Sequence, residues 1–186
     1  MQITYRFPSL LYRAPSLTLA LLLLLSPPVC LTANAQTPNP PAIDSDSPAS
    51  AKNFDAAANA ALKGMRQRAT ELGIGGVAVV AYFEGDSIQS WSSKMLVVGR
   101  LKDNPSATDK GSNLLAIAYS KAAEMADTLK DSGSQVRPSM TGEVGWTGGV
   151  ILRGKTGYLI AAFSGGKSED DVKVSQVGVE VLKSRH

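Results

Sequence analysis

Apolar residues recur every three or four positions in three segments of the chain, which is the spacing typical of amphipathic helices. The first segment runs from Phe54 to Leu72, with Asn53 placed to cap its start and Gly73 placed to end it. The second runs from Leu115 to Leu129, and the third covers residues 168–183. The spacing therefore predicts three helices.

The third segment carries a competing pattern, because its valines also alternate as they would in a strand. These valines are Val172, Val174, Val177, Val179 and Val181. Ser168 and Asp171, however, have the spacing of a capping box, and several of the valines fit one helical face. We therefore predict a helix here.

Four apolar runs bounded by glycine and polar turn residues indicate strands. The runs are residues 76–83, 87–98, 145–152 and 157–163. Glu84–Asp86 and Arg153–Thr156 are turns that join the runs into two hairpins, and a polar loop at 99–112 precedes the second helix. The order α-ββα-ββα predicts an α+β fold in which an antiparallel sheet is covered by helices.

Residues 1–35 have the three-part organisation of a secretory signal peptide. Arg6 and Arg13 supply positive charge, Leu17–Leu25 is the apolar core, and Ala33–Ala35 is a small-residue cleavage site. The apolar core is about half of the ~20 residues that a membrane-spanning helix needs. This favours cleavage over the alternative of a retained signal anchor. We therefore expect a periplasmic or secreted protein with no membrane span after cleavage.

Composition narrows the remaining possibilities. Residues 36–52 are rich in proline, serine and aspartate, which predicts a flexible linker before a folded domain at 53–186. Cleavage lowers the formal charge from +3 to +1, because residues 1–35 hold two basic and no acidic residues, so nothing favours nucleic-acid binding. One histidine and one cysteine exclude a zinc finger or a disulfide framework within one chain, and we predict no metal site.

The segment Ala161–Ser168 resembles a phosphate-binding loop, because it ends in Gly-Lys-Ser between a predicted strand and a predicted helix. Ala161 replaces the first glycine of that motif, and the 18 residues after Ser168 leave no room for a following strand with a magnesium-binding aspartate. Nucleotide hydrolysis is therefore not expected. The helix N-terminus remains a candidate site for a carboxylate or another anion. Its residues are Gly165, Gly166, Lys167 and Ser168.

The alternative for this segment is that the glycines only form the turn and Ser168 only caps the helix. Other candidate catalytic groups have similar explanations. Glu169, Asp170 and Asp171 fall in the first turn of a helix, where acidic residues complement the helix dipole. Ser120 and Lys121 are adjacent in a helix and do not face each other. We predict no catalytic residue, and a binding protein is favoured over an enzyme.

Four segments carry a resemblance to a known family. Tyr158–Val172 combines an apolar strand, a Ser-Gly-Gly turn and an acidic pair, and Ala116–Ala122 contains an Ala-x-x-Lys-Ala element. Val77–Val80 and Gly148–Val150 accompany them in the matching order. These segments resemble the GlcG/HbpS family over residues 54–184. The resemblance implies a profilin-like fold, homo-oligomers, binding of haem or a related tetrapyrrole, and work with an extracytoplasmic sensor or uptake protein.

If the protein binds haem, the choice of iron ligand is limited because histidine is effectively absent from the chain. The ligand would be a methionine, a tyrosine or a lysine, or the iron would have no strong protein ligand. The named candidates are Tyr119, Met140 and Tyr158. Cations would be needed for the propionates. The candidate cations are Arg100, Lys102, Lys110 and Lys167. The alternatives are ordinary packing for the ligands and a solvated surface for the cations.

Our leading hypothesis is an exported, non-enzymatic protein that binds haem or a related tetrapyrrole and acts in haem sensing or uptake. One alternative is an extracytoplasmic protein-interaction module without a small-molecule ligand. Another is an enzyme on small organic acids that uses the Gly165–Lys167 helix end to hold a carboxylate.

Overall fold

The computed structural model describes residues 48–185, so the predicted signal peptide at 1–35 and most of the predicted linker lie outside the described residues. The elements are α1 (Pro48–Glu71), β1 (Gly76–Glu84), β2 (Ser92–Val98), β3 (Lys102–Asp103), β4 (Ser112–Asn113), α2 (Leu114–Thr128), β5 (Gly149–Arg153), β6 (Gly157–Ser164) and α3 (Ser168–Arg185). Over these residues, no helix is both long and apolar enough to cross a membrane.

Four of the strands form one antiparallel sheet in the order β2-β1-β6-β5. The long central strands β1 and β6 pair from Val77 to Glu84 of β1, with Val80 opposite Ala161 near the middle. Together with the three helices, this sheet confirms the predicted α+β fold and its order α-ββα-ββα, a profilin-like arrangement.

Both faces of the sheet are covered, which explains why β1 is apolar at nearly every position. Alternate residues of β1 and β6, such as Ala78 and Phe163, pack under α1 and α3. Their neighbours, such as Val79 and Ile160, pack under α2. The core therefore consists of two apolar layers separated by the sheet.

The helix predicted at the end of the chain is confirmed, because α3 buries Val174, Val179 and Leu182 along one face. Helix α2 matches its predicted bounds closely. The Asn113 side chain caps it by accepting a hydrogen bond from Ala116 N at 3.1 Å. Helix α1 ends before Gly73 as predicted but begins at Pro48, earlier than the predicted cap Asn53. Proline suits a first helical position because no hydrogen bond is required of its nitrogen.

Two predicted strands begin later than the sequence pattern indicates. Residues 87–90 are exposed and precede β2, because they have no apolar face to bury. Strand β5 begins at Gly149, since Gly145 and Gly148 both have positive φ angles that a strand does not accommodate. The predicted polar loop at 99–112 includes the short strand β3 and leads into β4, and these two form a small antiparallel ladder.

Candidate functional site

A polar cleft of about 160 Å³ lies where β6 ends, between the N-terminal halves of α2 and α3. We call it the central cleft. Three of its lining residues, Leu114, Ile117 and Lys121, belong to α2. The others include Trp146 of the loop between α2 and β5, Gly166, and Asp171 of α3. The connection from β6 to α3 brings the start of α3 beside α2, so residues distant in sequence meet here.

A buried ion pair joins Lys121 and Asp171 at this cleft. The Lys121 Nζ atom lies 2.9 Å from Asp171 Oδ2 and donates a second hydrogen bond to the Phe163 carbonyl oxygen at 2.8 Å. The side chains are 2% and 5% exposed, respectively. The Gly166 backbone N–H donates to the other Asp171 oxygen at 2.8 Å. Both carboxylate oxygens are therefore bonded within the protein, whereas one Nζ hydrogen remains after these two bonds.

Burial opposes the charged forms of both partners. It lowers the pKa of Lys121 and raises the pKa of Asp171, because each charge loses its contact with water. Their mutual attraction, and the Gly166 hydrogen bond to Asp171, act in the opposite direction and favour the ion pair. A buried pair of this kind adds little stability beyond that of an apolar pair of the same volume. Its presence in a cleft therefore marks a candidate functional site.

The backbone at Gly148 leaves room for this pair. A Cβ atom at Gly148 would lie 2.3 Å from Lys121 Nζ and 2.9 Å from Asp171 Cβ, and the φ angle is +139°. The Gly148 carbonyl oxygen is held by hydrogen bonds from Ser175 Oγ at 2.7 Å and from Phe163 N at 3.2 Å. The backbone is thus fixed against the lysine, and only glycine fits at this position.

The predicted anion-binding residues lie at the same cleft. Gly165, Gly166 and Ser168 line it, and Lys167 is exposed between them. The Gly166 N–H already donates to Asp171, and the Gly165 carbonyl accepts a hydrogen bond from the Arg100 side chain. The protein's own carboxylate therefore takes one of the N–H groups that the prediction assigned to an external anion. Anion binding by these residues stays a prediction.

The predicted propionate-binding cations are divided between two regions. Arg100 lies near the central cleft, where it bonds Gly165 and pairs with Asp103 at 2.9 Å. Lys167 lies at the start of α3. Lys102 and Lys110 are exposed in β3 and in the loop before β4. Arg100 and Lys167 are therefore the two that the structure brings to the Gly165 turn.

The predicted iron ligands have separate surroundings, and none of them lines the central cleft. The half-buried Tyr119 packs beside Trp91, with ring centroids 6.2 Å apart. Tyr158 stacks on Phe83 at 5.4 Å, at the end of β6 remote from the cleft. Both tyrosines border the apolar layer under α2, while Met140 is exposed on the loop between α2 and β5. The structure does not assemble them into one site.

The loop 129–148 between α2 and β5 is held to the rest of the fold by an ionic network. Arg137 donates to both Glu143 carboxylate oxygens at 2.7 Å and also pairs with Asp127 of α2. The Met140 N–H donates to Glu143 at 2.8 Å. These hydrogen bonds lower the pKa of Glu143 to about 2. The network fixes a loop that presents Trp146 to the cleft.

Replacing Glu143 by glutamine should lower the free energy of unfolding at pH 7 by about 1–3 kcal/mol, because a charge-assisted bond to Arg137 is lost. The pKa of Glu143 is lowered in the folded state. The stability that its carboxylate contributes is therefore fully present above the ordinary glutamate pKa near 4.5 and is lost as the pH falls toward 2. Urea unfolding of wild type and variant across this range measures it. Glu180→Gln on exposed α3 surface is the control, and a difference that persists unchanged at pH 2 contradicts the assignment.

Sequence reasoning missed the central pair. The sequence pattern explains Asp171, with Glu169 and Asp170, by dipole complementarity in a first helical turn. All three lie in the first turn of α3 as predicted, but this explanation is incomplete for Asp171. Asp170 pairs with Lys173 and Glu169 is exposed, but Asp171 is buried against Lys121. The available signal was Lys121 itself, a charged residue in an otherwise apolar stretch of α2.

Within residues 48–185, no group of three or more histidine, cysteine, aspartate or glutamate side chains is arranged to hold a metal ion. The central cleft offers backbone N–H donors and the Lys121 amine, and two carboxylates, Asp103 and Asp171, also line it. Each carboxylate is paired with a cation, Asp103 with Arg100 and Asp171 with Lys121. The N–H donors and the amine suit a ligand that carries a carboxylate or another anionic group.

Comparison with known proteins places few constraints on this chain. No family model matches it, and no curated protein matches it. Among solved structures it is similar to the crystal structure of Klebsiella pneumoniae protein ORFY, described as a DUF336 protein, which is the GlcG-like family. That similarity has a TM-score of 0.40 and 16% identity, and it covers 70% of this chain and 90% of that chain. A similarity of this size does not establish family membership or function.

Proposed function

We propose that the protein is an exported, non-enzymatic binding protein that holds haem or a related tetrapyrrole by a carboxylate group in the central cleft. The observation that carries the proposal is the combination, at one cleft, of the buried Lys121 amine and the exposed indole of Trp146. Trp146 is 53% exposed and lines the cleft. A ligand with a flat apolar body and a carboxylate arm matches both features.

Donors for the carboxylate lie at the start of α3, where Ser168 lines the cleft. The N–H groups of Lys167, Ser168 and Glu169 have no acceptor among residues 48–185, as is usual in the first turn of a helix. The Lys167 side chain has no ion-pair partner over the same residues. Together with the remaining Lys121 hydrogen, these groups would bind a propionate oxygen by charge-assisted hydrogen bonds.

The volume of the cleft limits how a tetrapyrrole is held. At about 160 Å³, the cleft is smaller than the roughly 300–1,000 Å³ of pockets that enclose drug-sized ligands. In the proposal the propionate enters the cleft and the macrocycle stays outside against Trp146. The proposed mode assigns no iron ligand, since none of the predicted ligands Tyr119, Met140 and Tyr158 lines the cleft that holds the propionate.

Titration of the purified protein with haemin should give a shifted, saturable Soret band. Metal-free protoporphyrin should bind with an affinity within about threefold of haemin, because this mode assigns no ligand to the iron. The dimethyl ester of protoporphyrin, which lacks the carboxylates, should bind at least about tenfold more weakly. Absorbance and quenching of tryptophan fluorescence measure all three ligands.

Variants of Trp146 and Lys167 test where haemin binds. Trp146→Phe and Lys167→Ala should each weaken haemin binding about three- to tenfold, whereas Lys63→Ala on the exposed surface of α1 should leave it unchanged. A haemin spectrum equal to the sum of free haemin and protein removes the proposal. Strong binding that depends on iron, or is unaffected by both cleft variants, also contradicts the proposed mode.

A further inference from the structure

A second pocket lies at the hairpin between β5 and β6, at the end of β6 remote from the central cleft. We call it the hairpin pocket, and it is lined by Tyr82, Arg153, Gly154, Lys155, Leu159 and Lys183. Its volume is about 360 Å³, more than twice that of the central cleft and within the range of small-ligand pockets. It shares no lining residue with the central cleft.

All charged residues that line the hairpin pocket are cationic. Three of its six lining residues are cationic and none is acidic. Arg153 pairs with Asp86, whose side chain is 82% exposed. The Arg153 Cζ atom lies 4.8 Å from the Tyr158 ring centroid. Lys155 and Lys183 have no carboxylate partner within the described part of the chain. Since like charges repel, three cations around one pocket favour an anionic occupant.

The dipole of α3 explains the position of only one of these three cations. Lys183 falls in the last turn of α3, where a cation complements the helix dipole. Lys155 sits instead in the hairpin turn, and Arg153 ends β5. Their convergence with Lys183 follows from the packing of α3 beside the sheet.

The floor of the hairpin pocket is apolar and its inner edge is polar. Leu159 and the Tyr82 ring are buried in the apolar layer beneath α1 and α3. The Tyr82 hydroxyl lies 2.6 Å from Thr156 Oγ1 and donates to Glu84 Oε1 at 3.3 Å. Glu84 and Asp86 each bond to one lining residue, Tyr82 and Arg153 respectively, but neither carboxylate lines the pocket. The pocket thus offers apolar surface below and three cations around its mouth.

We propose that the hairpin pocket binds an organic phosphate monoester with a small apolar body. A phosphate monoester presents three acceptor oxygens and a charge between about −1.5 and −2, so it satisfies several cations at once, whereas a carboxylate presents two oxygens and one charge. The apolar body lies against the small exposed part of Leu159 and Tyr82 at the floor of the pocket. This site is independent of tetrapyrrole binding at the central cleft.

Isothermal titration calorimetry of the full chain tests this with phenyl phosphate, inorganic phosphate and benzoate as probes. Phenyl phosphate should bind at least about tenfold more tightly than either of the others, because it alone combines the dianion with an apolar ring. The double variant with Lys155→Glu and Lys183→Glu should weaken phenyl phosphate binding by about tenfold or more. Lys130→Glu, a charge reversal on an exposed residue away from the pocket, should leave it within about twofold.

A vesicle experiment distinguishes a free phosphate ester from a lipid headgroup. If the source is soluble, phenyl phosphate binds and vesicles of phosphatidate and phosphatidylcholine retain no more protein than vesicles of phosphatidylcholine alone. If it is a lipid, the phosphatidate vesicles retain the wild type and not the double variant. The proposal is overturned if phenyl phosphate and phosphatidate vesicles both fail to bind, or if the double variant and Lys130→Glu behave alike. Circular dichroism checks that each exposed-residue variant is folded.

Discussion

Replacing Lys121 by alanine should lower the free energy of unfolding by about 3–5 kcal/mol, because it leaves the Asp171 carboxylate buried without its charged partner. The Asp171 side chain is 5% exposed and keeps only backbone hydrogen bonds after the change. The loss of the lysine methylene groups from a buried position adds to the effect. Urea denaturation followed by far-UV circular dichroism measures it.

Two further variants separate the unpaired charge from lost packing. Lys130→Ala, on the exposed surface, should change stability by less than about 0.5 kcal/mol. The double change of Lys121→Met and Asp171→Leu should recover most of the loss, since apolar residues of similar volume replace a buried ion pair at little cost. A loss below about 1 kcal/mol in Lys121→Ala would mean that water or a shift of the loop 129–148 already solvates Asp171.

The same pair shows why much of the fold, but not the centre of the site, could be predicted from sequence. Helices α2 and α3 and the two hairpins are local features, set by apolar spacing, turns and caps within a few residues. Their predicted order was confirmed because each local signal agrees with the layered fold. Lys121 and Asp171 are 50 residues apart, and no local pattern relates them.

Asp171 also shows how a local explanation can conceal a long-range one. An acidic residue in a first helical turn needs no partner to be explained. What distinguishes Asp171 from Asp170 is which side of α3 meets the core, and that depends on how α3 packs against β6. Likewise, the strand predicted from residue 87 begins only at Ser92, because residues 87–90 are exposed and the pairing of β1 with β2 ends at Tyr82 and Ser92.

Replacing Gly165 by alanine should lower the free energy of unfolding by about 2–5 kcal/mol. A Cβ atom there would lie 2.2 Å from the Gly75 carbonyl oxygen and 2.6 Å from the Gly76 Cα atom, and the φ angle is +152°. These neighbours are backbone atoms at the start of a central strand, so no side-chain rotation can relieve the clash. The strained φ angle adds about 1–3 kcal/mol by itself. Thermal and urea unfolding of the variant measure the loss.

Gly142→Ala is the matched control for the Gly165 change. Gly142 also has a positive φ angle, +96°, but no atom lies within 4 Å of its would-be Cβ. Gly142→Ala should therefore show the conformational cost of the positive φ angle without the clash. Equal losses of unfolding free energy in the two variants would show that the close approach of Gly165 to Gly75 is not a constraint. If the larger loss at Gly165 is found, haemin binding by the residual folded protein should fall as well. The close approach to Gly75 holds the turn that places the Gly166 N–H against Asp171, so a shift there alters the first turn of α3, which lines the central cleft.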